Sequence, residues 1–311
     1  MAEKMYDFHR PVLLKESVAA LNIQAGGIYV DLTFGGGGHS REILNVLKGG
    51  QLWAFDQDPA SAAKAAAVQD ERLYFVQGNF RFFTAFLHAH GIKQVSGILA
   101  DLGVSSHQLD RPERGFAARL ASGPLDMRMP QVGELTAAKI LNTYRLPALV
   151  GIFSRYGDVR NARKLAQCLV TAREKKPLSA VGDLKEIIAP LVPKRRAYQY
   201  YAKVFQALRI AVNDECNALH DMLAQVPHIL AAGGRLVVIS YHSGEDRPVK
   251  NFIKTGNVAG EVVQDFYGRL VRPLQPLHKK VIVPTAEEIA QNNRARSARM
   301  RVAERTIHGN A

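Results

Sequence analysis

Tyr29-Val-Asp-Leu-Thr-Phe-Gly-Gly-Gly-Gly-His-Ser40 is the stretch that decides the fold: an apolar strand closing on an acid, four glycines, then the start of a helix. Residues without a Cβ let the backbone turn sharply and come into contact distance of a ligand, which points to a nucleotide-like cofactor. Gly50 to Phe55 reads as a second buried strand closed by Asp56. That acid follows the glycines by about twenty residues, where nucleotide folds place a carboxylate for ribose hydroxyls. A dinucleotide fingerprint fails, because its third glycine falls on Ser40 counted from Gly35 and on Arg41 counted from Gly36. S-adenosylmethionine has the same adenosine end but an amino acid and a sulfonium in place of pyrophosphate, and free backbone donors of a glycine loop can hold its carboxylate.

Outward from this stretch, short apolar runs alternate with helical patterns: Ile28 to Leu32, Leu52 to Phe55, Leu73 to Val76 and Ile98 to Asp101, then Arg235 to Ser240 much later. Asp101 ends its strand as Asp56 does. Asp58-Pro59 before an alanine-rich stretch reads as an N-cap followed by proline at the first helical position, a structural role. Between the two blocks of strands the pattern is helical, with apolar residues at three and four spacing in Leu135 to Tyr144, Leu146 to Phe153, Leu165 to Thr171, Leu184 to Leu191 and Tyr198 to Val212. The sequence therefore predicts a parallel α/β sheet formed by residues 1–106 and 213–311, with an inserted helical module over 107–212.

Charge singles out the same module. The chain of 311 residues carries a formal +13, and residues 107–212 hold 19 Lys and Arg against 8 Asp and Glu, leaving 22 against 20 elsewhere. Ligands of open α/β sheets lie beyond the carboxyl ends of the strands, so an insertion leaving after Asp101 is expected to bring its basic surface over the cofactor. Lys194, Arg195 and Arg196, followed by Tyr198, Tyr200 and Tyr201, combine phosphate-neutralising cations with rings able to stack on bases. Arg294, Arg296, Arg299, Arg301 and Arg305 form a second cationic run, and the alternation of Ala298, Met300 and Val302 with two of them reads as an edge strand with one wet face. The 47% hydrophobic content excludes global disorder. Two cysteines, Cys168 and Cys216, give neither a zinc spacing nor a disulfide framework, which fits a reducing, cytoplasmic setting. No apolar signal core or membrane-length run occurs, and no residue cluster calls for a metal.

The chain resembles the bacterial RsmH (MraW) family. The resemblance is carried by His9-Arg-Pro-Val-Leu-Leu14, Asp31-Leu-Thr-Phe-Gly-Gly-Gly-Gly-His-Ser40, Asp101-Leu-Gly-Val-Ser-Ser106 with Gln108-Leu-Asp110, and Gly123-Pro-Leu-Asp-Met-Arg-Met129. It continues through Phe205-Gln-Ala-Leu-Arg-Ile210, Ile239-Ser-Tyr-His-Ser243 with Glu245-Asp-Arg247, and Arg294-Ala-Arg-Ser297 with Arg301-Val-Ala-Glu-Arg305. It implies a Rossmann-like class I S-adenosylmethionine-dependent methyltransferase sheet with an inserted all-helical domain. The implied activity is methyl transfer to N4 of a cytosine in the decoding region of 16S rRNA, with the small ribosomal subunit as the setting. Readings from other classes are a methyltransferase for another RNA or a small-molecule amine, and a non-catalytic RNA-binding protein.

By the same resemblance Gly37, Gly38, His39, Asp56, Phe80, Asp101 and Gln108 contact the cofactor. The N4 lone pair is delocalised into the ring, so the reaction needs alignment, exclusion of water and an acceptor for the surplus proton. Asp101 is the position-based candidate for orienting the amine, with Tyr241 and His242 beyond the fifth strand as candidates for stacking or a proton path. The chain departs from the wider group of amino-group methyltransferases in having Leu102-Gly103-Val104 after Asp101, with no prolines and no stacking ring. Against the closer family it has Tyr241 for a usual Phe, Gly244 for a usual Leu, and Asn292-Asn293 for a usual Asn-Pro.

Overall fold

A computed structural model describes residues 11–306; His9 and Arg10 of the first motif lie outside the described residues. The chain divides into two compact units, residues 1–103 with 216–311, and residues 104–215, so the break falls a few residues outside the expected 107–212.

The first unit is built on seven strands: β1 Ile28–Asp31, β2 Gln51–Asp56, β3 Leu73–Gln77, β4 Val95–Asp101, β5 Leu230–Ser240, β6 Leu274–Pro276 and β7 Arg299–Arg305. Their spatial order is β3-β2-β1-β4-β5-β7-β6. Strands β1 to β5 are parallel, whereas β7 runs antiparallel to β5 and β6 antiparallel to β7. This is a doubly wound sheet of Rossmann type, with its topological switch point between β1 and β4.

Both faces of the sheet are covered, which is why its strands read as continuous apolar runs. With a period of two, Val30, Trp53, Phe55, Ile98 and Val238 face one side. They pack there on helices Phe83–Ala89, Glu215–Ile229 and Ser243–Thr255. Tyr29, Leu52, Leu99, Val237 and Ile239 face the other, against helices Leu14–Ala20 and Gly38–Val46. Burying a Leu or Phe side chain stabilises by about 1.5–3 kcal/mol, so the alternation fixes the register as well as the fold. Asp31, Asp56 and Asp101 each occupy the last position of a parallel strand, at the carboxyl edge where the switch point opens.

Three expectations are corrected here. β7 is not an edge strand: the three-residue β6 pairs with its outer side, so Leu274 meets Arg305 and Pro276 meets Ala303. Arg301 does not face open solvent either. It grips the buried carboxylate of Asp246 through two hydrogen bonds, Nε to Oδ1 at 2.7 Å and Nη2 to Oδ2 at 3.0 Å, and so ties β7 to helix Ser243–Thr255. Asp58 does cap the start of helix Ala60–Ala66 by accepting from the Ala60 N–H at 3.0 Å, but Pro59 stands at the N-cap position and not inside the helix.

The second unit holds helices Ala137–Thr143, Leu146–Arg155, Ala162–Lys175, Val181–Ile188 and Ala197–Asn213, close to the expected segments. They enclose a separate core including Ile140, Phe153, Leu165, Leu184 and Leu208. Helix is not continuous through the module, because residues 115–136 form no regular element. That stretch is held by polar contacts: Arg114 donates Nη2 to the carbonyls of Arg128 and Met129, and Arg128 grips Asp126 at 2.8 and 2.7 Å. Gly115 is required by its φ of 71° and by the Pro124 carbonyl, which a Cβ would approach to 2.0 Å. Among the described residues no helix is long and apolar enough to cross a membrane.

Candidate functional site

The glycine loop divides into two parts with different physical reasons. Gly37 has φ 76°, and a Cβ there would lie 2.6 Å from the buried Phe34 ring; a Cβ on Gly38 would lie 2.1 Å from Pro11. These two glycines serve the protein's own packing. Gly36 is different, since a Cβ there would meet nothing within 4 Å, and at Gly35 the nearest atom is 3.9 Å away. At Gly35 and Gly36 the missing side chains leave open space beside the backbone, the cradle that a bound molecule can fill.

The strand-end acids hold the loop around that space. Asp56 Oδ2 accepts from the Gly35 N–H at 2.6 Å and the Ser61 hydroxyl at 2.8 Å, and Oδ1 accepts from the Asp58 N–H at 2.8 Å. A carboxylate offers about four acceptor directions, so the predicted ribose acid retains one beyond its work of fastening the loop. Burial pushes its pKa up, against the pull of those three hydrogen bonds. Asp31, fully buried at the end of β1, accepts from Ser40 Oγ at 2.6 Å and the Thr33 N–H at 3.1 Å. Burial raises it to about 6. Asp31, Thr33, Ser40 and Ser61 were missed as site-building residues; the signal available was an acid closing a strand directly before a glycine loop.

Asp101 lies at the centre of the second cluster. Its N–H donates to Thr33 Oγ1 at 2.7 Å, which joins the end of β4 to the end of β1. Its Oδ1 accepts from the Tyr241 hydroxyl at 2.9 Å. Burial first, and then the charges of Asp31 and Glu245, raise Asp101 to about 7, with the Tyr241 hydrogen bond opposing them. Tyr241 is correspondingly pushed well above its ordinary value, by burial and by the neighbouring acid, and keeps its proton. His39 Nε2 lies 3.2 Å from the Val12 carbonyl, which assigns the proton to Nε2 and leaves the Nδ1 lone pair 3.9 Å from Asp101 Oδ2. Burial lowers His39 to about 4, so the pair is neutral imidazole beside carboxyl and not an ion pair.

Thus the structure brings Gly37, Gly38, His39, Asp56, Asp101 and Tyr241 to the carboxyl edge of one sheet. Phe80 opens a 3-10 turn after β3, capped by Asn79, and its ring packs partly on the main core. His242 stands beside Glu245. Nε2 is 3.0 Å from Glu245 Oε1 but out of line for a hydrogen bond, and among the described residues neither buried ring nitrogen has a hydrogen-bond partner. A Cβ at Gly244 would meet the His242 Nδ1 at 3.0 Å, tight enough that a larger residue requires the ring to give. Glu245 Oε2 instead accepts from the Tyr241 N–H at 2.8 Å, which orients the tyrosine.

The remaining candidates belong to the second unit. Gln108 closes a capping box at helix Ser106–Asp110, its Oε1 accepting from the Ser105 N–H at 3.0 Å. Lys194, Arg195 and Arg196 form a 3-10 turn before helix Ala197–Asn213; the two arginines are exposed, and the side chain of Lys194 lies outside what is described. Of the three tyrosines only Tyr198 presents a free ring, at 81% exposure. Tyr200 is core, its hydroxyl donating to Asn161 at 3.0 Å, and Tyr201 packs on the same core with the Lys185 ammonium 5.9 Å from its ring centre.

The chain is 52% identical over 299 residues to ribosomal RNA small subunit methyltransferase H of Amoebophilus asiaticus, covering 96% of each protein. It is 52% identical over 306 residues to the protein of that name from Bacteroides fragilis, covering 98% of this chain and 100% of the other. An rRNA methylase structure from Streptococcus thermophilus is similar at a TM-score of 0.43 and 10% identity, over 96% of this chain and 98% of that one. Residues 7–306, nearly the whole length, match the MraW methylase family, and the chain belongs to that family.

Proposed function

We propose that this protein transfers a methyl group from S-adenosylmethionine to the N4 amine of a cytosine in the decoding region of 16S rRNA, acting on the small ribosomal subunit in the cytoplasm. The observation that carries the reading is the Asp31, Asp56 and Asp101 set at the strand ends, around a glycine loop left open at Gly35 and Gly36. The donor set fits the cofactor: Asp56 has acceptor capacity for a ribose hydroxyl, the loop's free backbone surface suits the amino-acid end, and Phe80 supplies an apolar wall for the adenine. When bound, S-adenosylmethionine supplies an electrophilic methyl group on a sulfonium.

The chain's own residues have the proton to manage. The amine becomes strongly acidic as its new N–C bond forms, so an acceptor titrating near neutrality suffices. Asp101 has that property, and the Tyr241 hydroxyl occupies Oδ1, leaving Oδ2 to accept first a hydrogen bond and then the proton of the amine. His39, neutral with its Nδ1 3.9 Å from Oδ2, adds no positive charge beside that carboxylate. Lys194, Arg195 and Arg196 hold the phosphates of an unpaired or extruded target, because a paired or stacked cytosine cannot present its amine.

The test is transfer of label from S-adenosylmethionine to small subunits, naked 16S rRNA or free cytidine, followed by digestion to nucleosides. The account expects N4-methylcytidine from an RNA substrate. Label in another nucleoside refutes the specificity, and label in cytidine alone refutes the RNA substrate.

A further inference from the structure

Residues 261–270 are exposed throughout, yet they are ordered by their own hydrogen bonds. Gln264 and Leu270 form an antiparallel bridge, with Asp265 N–H to the Arg269 carbonyl and Val271 N–H to the Val263 carbonyl at 2.9 Å each. Asp265 Oδ1 accepts the N–H groups of Tyr267 and Arg269 at 2.9 and 2.8 Å, and Gly268 supplies the φ of 74° that closes the turn. A lone two-stranded hairpin is marginal in water, and here six large apolar side chains, Val262, Val263, Phe266, Tyr267, Leu270 and Val271, are exposed on it. Phe266 is 98% and Tyr267 78% exposed at the tip, with Val262 and Val263 exposed on the strand leading to it. A contiguous apolar protrusion of this kind marks an interaction surface.

The chemistry of the tip selects the partner. The Phe266 and Tyr267 rings stand edge to face with centroids 5.5 Å apart, and the Arg269 guanidinium lies 5.7 Å from the Tyr267 ring centre. Consecutive free rings with a cation over one of them make a stacking platform for bases. Across residues 247–280 seven Lys and Arg accompany two acids, of which Asp265 is committed to the turn. That excess complements a polyanion, and single-stranded RNA is the polyanion whose bases are free to stack.

We propose that the hairpin around Phe266 and Tyr267 is a second RNA-contacting element, in which the two rings stack on unpaired bases while Arg269 meets a nearby phosphate. The inference rests on the proposed rRNA substrate, and it adds an RNA contact on the sheet-bearing unit to the one proposed on the helical module.

The experiment compares the full chain with a Phe266→Ala/Tyr267→Ala variant and a ring-keeping Phe266→Tyr/Tyr267→Phe variant. Affinity for naked 16S rRNA at fixed salt is read beside S-adenosylmethionine binding, thermal melting and label transfer by the unaltered protein. One lost base stack weakens affinity by about tenfold, so the alanine variant should lose at least that much, with melting and donor binding unchanged and the ring-keeping variant near the unaltered protein. Equal RNA affinity of the alanine variant overturns the hairpin's role while leaving the rRNA methyltransferase reading intact. Failure of the unaltered protein to methylate either naked 16S rRNA or small subunits overturns that reading and the hairpin's role with it. A loss confined to binding of a protein component of the subunit, with naked-RNA affinity intact, also overturns it.

Discussion

Replacing Tyr241 by Phe removes one hydroxyl and with it the hydrogen bond that Asp101 Oδ1 accepts at 2.9 Å. The bond stabilises the ionised carboxylate, so its loss raises the pKa of an acid already lifted to about 7 by burial. A hydrogen bond to a charged group contributes about 1.5–3 kcal/mol, and one pKa unit corresponds to about 1.36 kcal/mol, so the shift is roughly one to two units upward. If Asp101 must be ionised to take the amine proton, the acid limb of the kcat profile moves to higher pH by that amount. At pH 7 the ionised fraction falls from about a half to between roughly a tenth and a hundredth, and the rate falls about five- to fiftyfold, recovering by about pH 10. Single-turnover methylation of rRNA, measured from pH 5.5 to 10, reads this directly. KM for the donor should stay put. An acid limb at the same pH in both proteins refutes the role of Asp101 as proton acceptor and leaves it as a strand-end support through Thr33.

Two further perturbations test parts of the fold and the RNA surface. Asp246→Ala strands the guanidinium of Arg301, which is only 19% exposed, and should cost about 3 kcal/mol in denaturant unfolding; Asp246→Ala with Arg301→Met should recover much of it, and no loss in the single variant contradicts the assigned clamp. Replacing Lys194, Arg195 and Arg196 by Ala should weaken rRNA binding, lower the slope of log affinity against log salt by about 2 for a single strand, and leave donor affinity unchanged. An unchanged slope removes the cluster from the RNA surface.

What was legible in the sequence is what rests on local signals. β1, β2 and β4 are buried on both faces, so each reads as an apolar run, and each ends on the acid that the site uses, Asp31, Asp56 and Asp101. The long helices of the second unit follow their apolar spacing. The order of the last two strands was not legible: Leu274-Gln-Pro276 is too short for a period, and its proline demotes it, yet it is this segment that covers β7. Nor could spacing separate Tyr198 from Tyr200, because one turn of a helix carries both a wet and a buried face, and only the packed core decides that Tyr200 points to Asn161. Residues 115–136 escape for a related reason, being held by Arg114, Asp126 and Arg128 in contacts that have no period. The hairpin at Phe266 carried a signal that went unread, a turn-forming Asp265 to Gly268 between Val262-Val263 and Leu270-Val271.

The difference between Gly36 and Gly37 offers the most direct test that the loop is built for a methyl donor. Gly37→Ala should destabilise, since a Cβ meets Phe34 at 2.6 Å at a positive φ, whereas Gly36→Val meets open space and should melt with the unaltered protein. Calorimetric titration of S-adenosylmethionine into the unaltered protein and Gly36→Val is therefore the decisive measurement. The account predicts one-to-one binding by the first and loss of binding by the second at equal thermal stability; equal affinity in the two, or no binding by the unaltered protein, contradicts it.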